Sequence, residues 1–356
     1  MTDGLVEKNT EQLSKNEIYV YSPSNAVSGG INSLHILCRA LRCKGFNARM
    51  YYTSLPDSFQ NDPIIQSFNL PYCLELNDSP GNLLIVPEAT TSLLQQFSQI
   101  RKMVYWLGLF FYFRSKPNRG VMAFKPLRRL FYCSDYFGKS RSWCHSFSKK
   151  LNYWNKKNDP IWRDGTLHMS NSYYVADFLK SMGIEQVWLL HNPVRDEFYS
   201  EKPIAKRSKT ILFGPKTSQF LIKQLQKQLP GFRCIRLKGL AATEVKNLYN
   251  EAMLFIELGN FSGRDRMPRE AVLSGCVVIS STNGSAAYYD DIQLPDFYKV
   301  NTRHTYQREL VDKVISVTGN YQKHFDEMKP YIKYLRHERD DFERNAAEIF
   351  KRMCRV

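Results

Sequence analysis

Along this 356-residue chain, short apolar runs rich in β-branched and aromatic residues alternate with longer stretches whose apolar positions recur every three to four residues. Runs of the first kind, bounded by turn residues, predict strands, and stretches of the second kind predict amphipathic helices. The first half gives strands at 17–21, 48–52, 83–86, 102–106, 167–170 and 186–190. Its clearest helices are 33–44 and 172–182, the latter with Ser172 as N-cap and Gly183 as the stop. A polar stretch, 195–209, interrupts the rhythm and reads as a linker. The alternation then restarts with strands at 210–213, 233–237, 253–258 and 276–280 and helices at 218–228, 243–252 and 266–274. The chain from Thr305 onward reads as mostly helical.

Strands alternating with helices predict parallel sheets covered on both faces, so the expected fold class is α/β with two Rossmann-like domains facing across a cleft and helices at the C-terminus. The expected division is a disordered polar N-terminus (1–15), a first domain (16–194), the linker (195–209), a second domain (210–335) and a C-terminal helix (336–356). Length alone favours two cores over one. No sequence repeat relates the halves; they match in rhythm only. Ligands in such sheets bind beyond the carboxyl ends of the strands, which directs attention to the loops there.

Composition removes several classes. Hydrophobic residues make up 43% of the chain, enough to bury a core and exclude a disordered protein. The eight cysteines form no Cys-x-x-Cys pair and no zinc-spaced cluster, and free thiols in a reducing compartment are expected. The N-terminus has no basic region followed by an apolar one, and no run reaches the length that spans a bilayer, so a cytoplasmic location is expected. No Ser/His/Asp set, Asp-x-Asp motif or Walker loop is present, and neither a metal nor a cofactor is expected.

The net charge of +16 is localised. Residues 101–157 contain fourteen Lys and Arg against one acid, Asp135, and fifteen aromatic residues. Cations interleaved with amphipathic rings suit an anionic membrane face, docking the protein peripherally at its cytoplasmic side. They also suit single-stranded nucleic acid, and a solvated basic surface over an aromatic core is the plain alternative.

The densest chemistry lies in 259–286. Pro268 marks a helix start, and Arg264, Arg266 and Arg269 gather where free backbone N–H groups and the positive end of the dipole favour an anion. Arginine forks match phosphate oxygens, so a diphosphate is the natural occupant. Glu270 is then a carboxylate beside a cationic site, suited to a vicinal diol such as a ribose. The run Pro268-Arg269-Glu270-Ala271, Gly275-Cys276-Val277-Val278-Ile279-Ser280 and Asn283-Gly284-Ser285-Ala286 resembles the donor-site signature of retaining GT-B glycosyltransferases of the Glu-x7-Glu, family 4-like type.

That resemblance implies that Glu270 binds the nucleotide ribose and that the loop with Gly284 and Ser285 approaches the donor phosphates. Members often carry a second glutamate seven residues earlier, contacting the transferred sugar; here that position is Gly263, with Asp265 as the substitute. Gly29 and Gly30 resemble a glycine loop of the first domain, Lys216 a residue reaching the diphosphate, and His191-Asn192-Pro193-Val194 a hinge-side turn. Glu88, after a predicted strand, is a candidate base or acceptor contact. The expected activity is transfer of a sugar from a nucleotide-diphosphate donor to a glycan or lipid-linked acceptor in cell-surface polysaccharide synthesis, without a metal. A nucleotide-sugar 2-epimerase of the same architecture and a nucleic-acid-binding α/β protein are the alternatives.

Overall fold

The structure, a computed structural model, describes residues 16–25, 28–115, 159–162, 165–199, 207–215, 217–302 and 306–354. The expected disordered N-terminus, most of the basic aromatic segment (116–157) and Lys216 lie outside the described residues.

Two parallel sheets form the frame. The first contains β1 (Ile18–Tyr21), β2 (Ala48–Tyr51), β3 (Tyr72–Cys73), β4 (Leu83–Pro87), β5 (Arg101–Trp106), β6 (Leu167–Ser170) and β7 (Val187–Leu189), in the order β3-β2-β1-β4-β5-β6-β7. The second contains β8 (Ser208–Phe213), β9 (Arg233–Arg236), β10 (Ala252–Glu257), β11 (Val277–Ser281) and β12 (Lys299–Val300), in the order β12-β11-β10-β8-β9. Strands β1 and β4 and the second half of β8 (Ile211 to Phe213) read as unbroken apolar runs because helices cover both faces of each sheet; Leu84, Ile85, Ile211 and Leu212 have no exposed surface.

Strand order reverses between β1 and β4 in the first sheet and between β8 and β10 in the second. Chain leaving the carboxyl ends of neighbouring strands parts there in opposite directions and opens a crevice. The residues after β1, β4, β8 and β10 therefore frame the candidate site.

The first long helix, Gly29–Cys43, starts four residues before the predicted boundary. Its N-cap is Ser28, whose Oγ accepts from the Ile31 N–H at 3.4 Å, so Gly29 and Gly30 form a first helical turn rather than the expected loop. Helix Tyr173–Ser181 has the expected cap, with the Val175 N–H donating to Ser172 Oγ, and Gly183 beyond it takes φ +87°.

The C-terminal helix is longer than predicted, Lys329–Cys354, and belongs to both cores. Tyr331 and Leu335 pack in the second domain, while Phe342, Ala346, Phe350 and Met353 pack in the first, against the helix Gly29–Cys43 and Phe46. Its apolar stripe explains this: those positions fall three, four or seven residues apart and so share one face.

Candidate functional site

Helix Arg266–Leu273 starts beyond β10 and runs between the second sheet and the C-terminal helix. Arg266, in its first turn, lies against the first turn of helix Gly29–Cys43: a Cβ placed on Gly29 would sit 2.8 Å from Arg266 Nη2. A side chain at position 29 would push the guanidinium aside, so glycine there leaves Arg266 its place against this turn. Burial lowers the Arg266 pKa, opposed chiefly by the charge of Glu270. Its Nη1 is buried with no hydrogen-bond partner among the described residues. An arginine keeps its proton under these conditions, so this is a cation with an unused donor at the domain boundary.

Glu270, one turn further along and on the same face, is buried and accepts a hydrogen bond from Arg195 Nε at 3.1 Å. Arg195 itself pairs with Glu197 at 3.0 Å and lies over the Phe198 ring. The linker stretch thus supplies a cation to the site, which its polar character alone did not reveal.

Arg264 is not open to a phosphate. Its side chain is 0% exposed, with Nη1 on Glu338, Nη2 donating to Tyr334 Oη at 3.2 Å and Nε to the Asp291 carbonyl at 3.1 Å. Arg269, also 0% exposed, donates to Glu338 Oε2 and to the Asn192 carbonyl, each at 2.8 Å. Of the three arginines that the sequence gathers at this helix, two are held by the C-terminal helix and the third faces the first domain.

Gly263 and Gly284 are where loops touch. A Cβ on Gly263 would lie 2.2 Å from the Leu107 carbonyl oxygen, and one on Gly284, at φ +62°, 1.9 Å from the Phe261 oxygen. Position 263 therefore has no room for any side chain. Ser285 is spent on the same loop: its N–H donates to Phe261 O at 3.0 Å and its hydroxyl to Gly263 O at 2.5 Å. Asp265 is the N-cap residue of its helix, without a capping side-chain bond.

Glu88 follows β4 and is 2% exposed. Its Oε2 accepts from the Leu107 N–H at 2.9 Å, and burial pushes its pKa up to about 7 despite that bond. The turn that it supports, Leu107-Gly108, is the one that Gly263 approaches, and the Leu109 N–H donates across the boundary to Ser262 O at 2.8 Å. A second link joins the domains at Asp291, whose two carboxylate oxygens accept from the Tyr173 and Tyr174 N–H groups at 2.8 and 3.0 Å. An acid at a helix N-terminus satisfies orphan donors and complements the dipole.

The turn 191–194 is a junction. Asn192 Nδ2 donates to Ser33 Oγ at 3.1 Å, its Oδ1 accepts from Asn171, and its carbonyl accepts from Arg269. His191 is held well below its ordinary pKa by burial and by Arg264 and Arg269, so it is neutral near pH 7. Asn32 Oδ1, Asn171 Oδ1, His191 Nε2 (4.0 Å from Asp291 Oδ1) and Thr217 Oγ1 are further buried polar atoms without a hydrogen-bond partner among the described residues. Asn171, His191 and Thr217 follow strand carboxyl ends and Asn32 lies in the first turn of helix Gly29–Cys43, where a polar ligand would satisfy them. Glu257, at the end of β10, is buried beside Gly214: a Cβ there would lie 1.7 Å from Glu257 Oε2. Among the described residues no group of three or more His, Cys, Asp and Glu side chains is placed to hold a metal ion.

No protein-family model matches the chain, and no curated protein matches it in sequence. Solved structures do match in shape over nearly the whole length. Sucrose-phosphate synthase from Thermosynechococcus elongatus aligns with a TM-score of 0.59 at 12% identity, covering 96% of this chain and 98% of that one. Anabaena HepE, solved in complex with UDP-glucose, gives 0.56 at 11% identity, covering 96% and 100%. A glycosyltransferase from Rickettsia africae gives 0.52 at 12% identity, covering 96% and 98%. These likenesses show the fold: two Rossmann-like domains in the GT-B arrangement, with C-terminal helices.

Proposed function

We propose that this chain is a glycosyltransferase that moves a sugar from a nucleotide-diphosphate donor to a hydroxyl of a glycan or lipid-linked acceptor. One observation carries the reading: Arg266 and Glu270 stand on one helix at the domain boundary, the cation with an unused buried donor and the acid within reach of it. A diphosphate beside a ribose diol presents the complementary pattern of charge and hydroxyls. HepE, with the same fold, was solved with UDP-glucose, which makes UDP the first nucleotide to test.

In the reaction the bond from the anomeric carbon to the diphosphate oxygen breaks and its electron pair leaves with the phosphate. A bond to the acceptor oxygen forms, and that hydroxyl gives up its proton. Negative charge grows on the leaving diphosphate, where Arg266, Lys216 and the helix N-terminus at Asp265 would stabilise it. The loop carrying Gly284 and Ser285 lies next to the same helix and would border the phosphates through its backbone. Arg264 acts from behind this surface, through Glu338. Glu88, with a pKa near 7, is suited to take the acceptor proton.

Retention of anomeric configuration, independence of metal, cell-surface polysaccharide as product and peripheral docking at the cytoplasmic membrane face are the finer parts of this reading. The signature around Glu270 supports the first, the missing Asp-x-Asp motif the second, and the basic aromatic segment the last two. Among the described residues no helix is long and apolar enough to cross a membrane. No observation favours the epimerase or the nucleic-acid reading over transfer.

The test is a thermal-shift screen of UDP, GDP, CMP, dTDP and ADP on the wild type and on Glu270→Ala. One nucleotide should stabilise the wild type, by about 2.7 kcal/mol at a hundredfold excess over Kd, and leave the variant unmoved. Equal stabilisation of both proteins, or of neither by any nucleotide, would remove the reading.

A further inference from the structure

Glu338 sits in the middle of the C-terminal helix with its side chain 2% exposed, between two guanidinium groups that are fully buried. Its Oε1 pairs with Arg264 and its Oε2 with Arg269 at 2.8 Å, and Tyr199 Oη reaches Oε2 at 3.5 Å. One carboxylate therefore grips a residue just ahead of the N-cap of helix Arg266–Leu273 and a residue inside that helix, five positions apart. Two fixed points along a short helix set both its rotation and its advance. Arg269 also donates to the Arg264 and Asp265 carbonyls and to Asn192, so the grip extends to the first-domain turn. Arg266 and Glu270 lie between and next to the held residues, and a helix that turned to follow a lost partner would carry both out of place.

We propose that Glu338 is a positioning residue, through which the C-terminal helix holds Arg266 and Glu270 in register for the nucleotide. The proposal rests on the nucleotide-sugar reading of that site, and Glu338 acts on it only through Arg264 and Arg269. Glu338→Gln keeps the shape and removes the charge that both arginines need. Phe342→Ala, one turn further along the same helix, deletes a side chain buried in the first-domain core and serves as the control for lost stability alone.

Two measurements, made well below the melting point of each variant, decide the matter: the Kd for UDP by calorimetry and amide hydrogen exchange of residues 266–273. Glu338→Gln should weaken UDP at least tenfold and speed exchange in that helix, Phe342→Ala should do neither, and Glu338→Asp, which keeps the charge on a shorter stem, should recover part of both. Equal effects of Glu338→Gln and Phe342→Ala, or a change in melting temperature with UDP binding and exchange unaltered, would overturn the proposal. If Glu338→Gln does not fold, Glu338→Asp takes its place in the same comparison. If the wild type binds no UDP, the nucleotide that stabilises it in the thermal-shift screen takes its place; if none does, the nucleotide reading falls and the exchange comparison still decides whether Glu338 positions the helix.

Discussion

At the scale of single residues the informative groups are those buried with a charge or a missing partner. Glu88 has a folded-state pKa of about 7 against 4.5 for an ordinary glutamate, because burial outweighs its backbone hydrogen bonds. Between those values the native state holds more protons than the unfolded chain, so stability falls as pH rises through this window and levels off above 7. The full loss is about 3 kcal/mol. Glu88→Gln, which stays neutral, should match the wild type in chemical denaturation near pH 4.5 and exceed it by roughly that amount at pH 8. A constant difference across the range would show that the carboxyl titrates normally. If Glu88 is the base, kcat/KM of the wild type rises with pH through about 7, and the variant lacks that rise.

The sequence pointed to Glu88 and Glu270 through their places after a strand and in a signature. It did not point to Glu338, although the signal was there. Tyr331, Leu335, Phe342, Ala346 and Phe350 mark a buried stripe, and Glu338 falls on it at the same three-to-four spacing. A carboxylate within an apolar stripe needs a buried cation, and two arginines of the signature supply it. Arg195 left no comparable trace, since one arginine in a polar stretch looks like any solvated charge.

Among elements, the longer strands were legible because parallel strands covered on both faces read as continuous apolar runs. The two-residue strands β3 and β12 were not, since two positions carry no period. The start of the first long helix was missed because two glycines argue against a helix, and the group that Gly29 packs against is a guanidinium contributed more than two hundred residues later. Loops, too, take their sequence from distant partners. The 262–263 loop meets the Leu107-Gly108 turn backbone to backbone, and only glycine fits at 263. Gly263→Ala should therefore cost about 1–3 kcal/mol as the boundary is forced apart, with accelerated exchange of the Leu109 amide whose bond to Ser262 it strains. An alanine variant as stable as the wild type, with that amide still protected, would show that the loop can move aside at no cost.

For the whole molecule, the double α/β layout and the crevice between the halves followed from the alternation of patterns, but the way in which the halves are held did not. Among the described residues, the links that cross the boundary include the Leu109–Ser262 bond, Asp291 at the start of helix Tyr173–Ser181, and Asn192 between Ser33 and Arg269. Each joins residues that are remote in sequence, and no local pattern encodes such pairs. The basic aromatic segment belongs to this scale as well. Cosedimentation with anionic vesicles that disappears in high salt is the expected behaviour, because exposed charge attraction is screened within about 10 Å at 0.1 M salt. Binding that persists in salt would point instead to an apolar contact.

The C-terminal helix has a consequence for synthesis. A chain emerging from the ribosome completes its first half long before Phe342, Phe350 and Met353 exist, yet those side chains fill that half's core. The early half must therefore wait with an apolar groove beside helix Gly29–Cys43 uncovered, a state in which nascent chains are prone to associate. A transcript cut short before residue 336 should yield aggregated protein rather than a folded domain, and supplying residues 329–354 as a separate peptide during refolding should rescue it.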